Sequence, residues 1–114
     1  MKHLEDNIQA ACCRWFAYEY PGIKLIHTPN GGHRNAQEAA RFKRQGVTPG
    51  VPDLFLMKPA NGFHGLFIEV KSETGKLSEY QKEMLTYLDS MQYKTAVIRS
   101  VDEFIKVVNE YLKG

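Results

Sequence analysis

Cysteine is nearly missing from this 114-residue chain: there are two, Cys12 and Cys13, adjacent and with no partner elsewhere. That excludes a disulfide framework and disfavours a cysteine-built zinc site, leaving small apolar side chains on a helix. Long hydrophobic runs are missing too. No stretch approaches the ~20 apolar residues needed to span a bilayer, so no membrane role is expected. The N-terminus has no apolar centre of a secretory signal, so the chain reads as cytoplasmic. His27, His33 and His64 do not have a metal-ligand spacing, which again argues against zinc. Internal repeats, low-complexity tracts and linkers are absent. What remains, 43% hydrophobic and 25% charged residues, is the mix of an ordinary folded domain. Its length suits one domain spanning residues 1–114, with a single core.

Hydrophobic periodicity gives the order of elements. Leu4, Ile8, Ala11, Cys12, Trp15 and Phe16 recur at helical spacing, and Pro21-Gly22 ends that helix. Ile23 to His27 reads as a short strand. Thr28-Pro29-Asn30-Gly31-Gly32-His33-Arg34-Asn35 is dense in turn formers and reads as a loop. Ala36 to Arg44 predicts a short basic helix stopped by Gly46. Two strands follow, near residues 53–58 and 65–71, then a polar loop from Ser72 to Lys76. A long helix is expected from about Ser78 to Ser90, with Leu77, Tyr80, Met84, Leu85 and Leu88 as its apolar stripe. A strand from Thr95 to Ile98 comes next. Ser100-Val101-Asp102-Glu103 has the capping-box pattern of a last helix running through Leu112. The order is αβ(α)ββαβα.

The net charge is only +2, but it is unevenly placed. Between Lys24 and Pro49 stand Lys24, Arg34, Arg41, Lys43 and Arg44 against the single acid Glu38. A solvated helix face is one reading of that stretch. Its position just before an acid-bearing strand favours a phosphate-binding surface. The glycines of the 30–34 loop allow backbone amides to approach phosphates closely, with His33 and Arg34 adding donors; a plain turn is the alternative. Arg41, Lys43, Arg44 and Lys76 would position a nucleic-acid backbone without reading its sequence.

Two segments carry the chemistry. Gly50-Val51-Pro52-Asp53-Leu54-Phe55-Leu56-Met57 opens with an acid after a proline, and proline is tolerated at a strand's first residue. Gly65-Leu66-Phe67-Ile68-Glu69-Val70-Lys71 ends with an acid and a base two residues apart, hence on one face. Paired as a hairpin, the strands bring Asp53 near Glu69 and Lys71. Glu-x-Lys alone is a weak signal, but charges in so apolar a strand need a reason. Two carboxylates beside one ammonium can hold a divalent cation and a water next to a phosphate. Asp53 and Glu69 would be ligands, with the backbone carbonyl of Val70 a third. Lys71 would orient the water or stabilise charge on the phosphate; neighbouring acids favour its ammonium form, against a simple general-base role. Gln81 lies within the apolar stripe of the long helix. It either closes a capping box with Ser78 or reaches the acids. Glu5 borders the stripe of the first helix and either points toward the cation or favours the helix N-terminus through the dipole.

Gly50-Val51-Pro52-Asp53, Ile68-Glu69-Val70-Lys71, Leu77-Ser78-Glu79-Tyr80-Gln81 and the loop at 28–34 together resemble the VRR-NUC (virus-type replication-repair nuclease) family of the PD-(D/E)XK superfamily. The resemblance runs from Glu5 to about Ile98. It implies an α/β (α+β), restriction-endonuclease-like αβββαβ core, a mixed sheet flanked by helices. It further implies DNA cleavage with Mg²⁺ or Mn²⁺. Mapped residue by residue, it assigns catalysis to Asp53, Glu69, Lys71, Gln81 and Glu5, and none of these positions departs from the family pattern. Stand-alone phage and bacterial members are similar to Holliday-junction resolvases, so the expected role is cutting branched DNA in replication, recombination or repair, with no nucleotide cofactor. One site per small domain and a two-fold substrate suggest a homodimer, with Tyr18, Tyr20, Phe63, Tyr93 and Tyr111 as interface candidates unless they merely cover the core. A catalytically silent DNA-binding subunit, a nuclease acting on flaps, linear DNA or RNA, and a restriction enzyme are the alternatives. The short chain leaves little material for base reading, which disfavours the last.

Overall fold

A computed structural model describes residues 2–28 and 36–114. The elements in order are α1 (Lys2–Glu19), β1 (Leu25–His27), α2 (Ala36–Arg44), β2 (Leu54–Leu56), β3 (Leu66–Val70), α3 (Glu79–Ser90), β4 (Lys94–Ile98) and α4 (Val101–Lys113). The architecture is α+β, one mixed sheet flanked by helices. Its strand order is β1-β2-β3-β4. β1 and β2 pair antiparallel, as do β2 and β3, whereas β4 lies parallel to β3. A parallel neighbour needs a crossover, and α3 supplies it.

Alternation along the strands sorts the sheet into two faces. Leu54, Leu56, Leu66, Ile68, Val70 and Ile98 point one way and are almost fully buried. They meet Cys12 and Phe16 of α1 and Phe104, Val108 and Tyr111 of α4 in one cluster. Burial pushes the Cys12 thiol up to about 12, so it fills space as a protonated apolar group. On the other face Phe55 stacks on Phe67 at 4.3 Å between ring centroids. Tyr93 meets both rings edge-on. Asp53 and Glu69 share that second face, and α3 packs there against β4.

Local chemistry explains the helix ends. Gly46, at φ +92°, closes α2 in a Schellman turn, with Gly46 N–H donating to Lys43 O and Val47 N–H to Phe42 O. Ser78 caps α3 in a complete capping box with Gln81. At α4 the box is half made: Ser100 Oγ accepts from Glu103 N, but the Glu103 carboxylate reaches back one residue further, to Arg99 N–H at 2.6 Å.

Two sequence expectations need correction. Tyr80 does not belong to the apolar stripe of α3; it is 62% exposed. Leu77, Gln81, Leu85 and Leu88 form the inward line instead, which turns Tyr80 outward by about 100°. Among the proposed interface aromatics, Tyr18 alone is largely exposed, at 87%. Tyr111 is buried and donates to Lys58 O, Tyr20 donates to Asn109 Oδ1, Phe63 packs against the core, and Tyr93 belongs to the Phe55–Phe67 cluster. These four complete the fold's own packing. Among the described residues no helix is long and apolar enough to cross a membrane.

Gly50 ties the approach to β2 onto the start of α3. Its φ is +89°, and a Cβ there would lie 2.4 Å from the Tyr80 carbonyl oxygen and 3.1 Å from Gln81 N. Both the backbone angle and the backbone contact demand glycine. Gly50→Ala is expected to cost at least about 1–3 kcal/mol. A chemical-denaturation curve indistinguishable from wild type would contradict this packing.

Candidate active site

Asp53 stands one residue ahead of β2. Its backbone is anchored from β1: Thr28 N–H donates to Asp53 O at 2.8 Å, and the Thr28 hydroxyl donates to Pro52 O. His27 Nδ1 lies 3.1 Å from Asp53 O and 2.9 Å from Gln9 Nε2 of α1. Pro52 is buried at the strand's entrance, where its missing N–H breaks no ladder bond.

The hairpin register pairs Leu54 with Ile68, which sets Asp53 opposite Glu69. Asp53 Oδ2 then accepts from Val70 N–H at 2.8 Å, so the carboxylate continues the ladder where β2 has not yet begun. The N–H and C=O of a strand residue leave on the same edge. The Val70 carbonyl therefore faces the Asp53 side, while Lys71 N–H turns the other way, to Ile98 O.

Glu69 is 3% exposed, an unusual burial for an acid. Its Oε2 accepts from Gln81 Nε2 at 3.0 Å, and Lys71 Nζ lies 3.9 Å from the same oxygen. The two readings of Gln81 turn out to be compatible. Its Oε1 accepts from Ser78 N–H at 2.8 Å to close the cap, while its amide nitrogen serves Glu69. Glu5 Oε2 accepts from Ser72 N–H at 3.1 Å, which carries the N-terminal end of α1 to the turn after β3.

Electrostatics shape this group. Burial above all pushes Glu69 up to about 8; the Asp53 charge, the hydrogen bond to Asp53 and the Glu5 charge add to it, and Lys71 opposes it. Asp53 is also raised by burial, against the Val70 N–H, the bond with Glu69 and the nearby His27. Burial of Glu69 beside the half-buried Asp53 favours the protonated form of this acid pair.

Among the described residues no three His, Cys, Asp or Glu side chains form a ready-made metal cage. The donor set is a carboxylate pair on one face plus a main-chain oxygen. Excess acid in a buried site, balanced by one ammonium, fits a divalent cation that takes few protein ligands and keeps its waters. Glu5 sits beside this set, held by Ser72.

The predicted nucleic-acid contacts are less gathered. Arg41, Lys43 and Arg44 are exposed on α2, which connects β1 to β2, and Lys76 is exposed just before α3. Asn30, Gly31, Gly32, His33 and Arg34 lie outside the described residues. Thr28, His27 and Gln9, which frame Asp53, escaped the reading of the sequence. Their contacts span 18 to 26 positions, and although Thr28 opens the turn-rich loop at 28–34, no motif marks these contacts.

The VRR-NUC domain family matches residues 4–102, which covers every candidate side chain from Glu5 to Gln81. A solved structure described as a VRR_NUC domain protein is 30% identical, superposes with a TM-score of 0.82, and aligns over 96% of this chain and 88% of its own. No curated protein matches. A family match over nearly the whole length, together with a shared fold, means that this chain belongs to the VRR-NUC domain family.

Proposed function

We propose that the protein is a Mg²⁺- or Mn²⁺-dependent endonuclease that hydrolyses DNA phosphodiester bonds, with branched DNA as its preferred substrate. The observation that carries the reading is the contact network of Asp53, Glu69, Gln81 and Lys71: a buried acid, Glu69, opposite a half-buried one, Asp53, with an ammonium at their edge. Asp53, Glu69 and the Val70 carbonyl would hold the cation, with Glu5 as a further acid at its edge. When bound, the cation supplies charge neutralisation at the phosphate and an acidified water.

The chain's own groups do the rest. Gln81 fixes the orientation of Glu69, because its amide is locked at both ends. Lys71 presents a positive charge to the phosphoryl oxygens as negative charge builds there, or donates to the attacking water. Asp53 is oriented by the Val70 amide. Arg41, Lys43, Arg44 and Lys76 serve the duplex backbone as positioning contacts. The preference for branched DNA rests on size and symmetry. One small domain with one site cuts one strand, and a two-fold pair of domains matches a junction with two-fold symmetry. Discrimination would then come from backbone geometry and deformability rather than base contacts.

Labelled linear duplex, flap, four-way junction and RNA substrates, each with Mg²⁺, Mn²⁺ or EDTA, test this directly. Cleavage is expected with either metal, strongest on the junction, and absent in EDTA. Asp53→Ala and Lys71→Ala should each lower the rate by at least about 10²-fold, and Gln81→Ala by about 10–100-fold, as for an outer partner of a metal ligand. Metal-independent cutting, or cutting by Asp53→Ala, defeats the mechanism; faster cutting of linear duplex defeats the junction reading.

Phosphate contacts make affinity fall steeply with salt, by a slope of roughly 0.9 per neutralised phosphate. Replacing Arg41, Lys43 and Arg44 together with alanine should weaken DNA binding at low salt and flatten that slope. An unchanged slope would remove α2 from the interface.

The burial of Glu69 predicts a pH dependence of the metal-free protein. Glu69 titrates at about 8 when folded against an ordinary 4.5, so between those values the folded state binds more protons than the unfolded chain. Stability must then decline as pH rises through that window. In EDTA the melting temperature should drop from pH 5 toward pH 8, and Glu69→Gln should flatten the curve. Added Mg²⁺ should stabilise more at the high end, since it displaces the proton. A melting temperature that climbs with pH in EDTA would contradict the burial of this acid pair.

A further inference from the structure

Arg99 lies outside every motif, yet its side chain holds the turn that follows β3. Its Nη1 donates to Ser72 O at 2.7 Å and to Gly75 O at 2.6 Å. Both carbonyls belong to one turn, which Gly75 N–H closes onto Ser72 O at 3.2 Å. Charge-assisted bonds of this length are among the stronger ones available to a side chain.

That turn seats the edge of the acid cluster. Ser72, 7% exposed, gives its N–H to Glu5 Oε2. At Gly75 a Cβ would come within 3.0 Å of both Glu5 Oε2 and Ser72 Oγ, and 3.5 Å of Lys71 Cδ. Glu5 and the Lys71 stem therefore pack directly on this turn. The segment is polar, with Ser72, Glu73, Thr74, Gly75 and Lys76 in succession, and it lacks an apolar side chain to fix its shape. Arg99 is itself fixed, since its N–H donates to Glu103 Oε1 in the first turn of α4. An unbroken chain of bonds thus runs from α4 through Arg99 and the turn to Glu5.

We propose that Arg99 is a positioning residue of the cation site, acting through the 72–75 turn to hold Glu5 and Lys71 in place while touching neither substrate nor cation. The inference rests on the metal-dependent reading above. Glutamate and lysine side chains have many rotamers, and ordering them costs conformational entropy. A turn clamped from a neighbouring strand removes part of that freedom before the cation arrives. Lysine can replace the charge but not the planar fork, so Arg99→Lys should recover only part of the effect.

The test measures cation binding by calorimetry with Mn²⁺ on the full chain, alongside the Mg²⁺ midpoint of DNA cleavage. Arg99→Ala should weaken Mn²⁺ binding by about tenfold or more and raise the Mg²⁺ midpoint, with much of the cleavage rate returning at saturating Mg²⁺. Arg99→Lys should fall between Arg99→Ala and wild type. In the Glu5→Gln background, Arg99→Ala should add little further loss, because both act through one turn. Arg99→Lys and Glu5→Gln carry the comparison if Arg99→Ala fails to fold. A variant that melts earlier but binds Mn²⁺ like wild type would overturn the inference, as would fully additive losses in the double variant. A wild-type protein that binds no Mn²⁺ would instead defeat the metal-dependent reading itself, and this inference with it.

Discussion

The bond between Asp53 Oδ2 and Val70 N–H is the point on which the site depends. It is a strand contact made by a side chain in place of a backbone. It holds the Asp53 carboxylate at the level of Glu69 and leaves the Val70 carbonyl on the same edge. The cost is the burial of Glu69 beside a second, half-buried acid, an arrangement that apolar packing alone would never favour. The rest of the molecule answers that cost. Gln81 supplies a donor and Lys71 a nearby positive charge, and the β1 end of the sheet holds the Asp53 backbone with Thr28 and His27.

The two faces of the sheet divide the labour. The face under α1 and α4 is a close-packed apolar layer, the source of stability. The other face carries the acids at one end and the Phe55–Phe67–Tyr93 cluster further along. Functional groups on strands are held more rigidly than groups on loops; here Glu69 lies within β3, and Asp53 and Lys71 adjoin the ends of β2 and β3.

Much of this was legible in the sequence because it is local. Periodicity placed α1, α2 and α3 within a residue or two, since helix ends are written in capping and glycine chemistry at Ser78 and Gly46. A hairpin of β2 with β3 was readable from two apolar strands joined by a turn-rich connection, whereas its register is seen only in the fold. Asp53, Glu69 and Lys71 were readable because acids in apolar strands stand out. Tyr80 misled because a tyrosine counts as apolar by composition, while the helical step from the inward Gln81 turns it to the exposed side of α3. Thr28, His27, Gln9 and Arg99 were silent for a different reason. Each acts through a backbone group or ring far away in sequence, and no residue pattern records which carbonyl a side chain will find.

The first turn of α3 carries one more consequence. Gln81 spends its oxygen on the helix start and its nitrogen on Glu69, and Gly50 lets the chain lean on the same peptide units. Unwinding that turn and dismantling the acid pair are therefore a single event. Fraying, which helix ends ordinarily do at little cost, is here tied to the loss of the reactive centre. Molecules with a loosened α3 should carry no half-built centre, and intermediate activities should give way to a mixture of competent and incompetent copies.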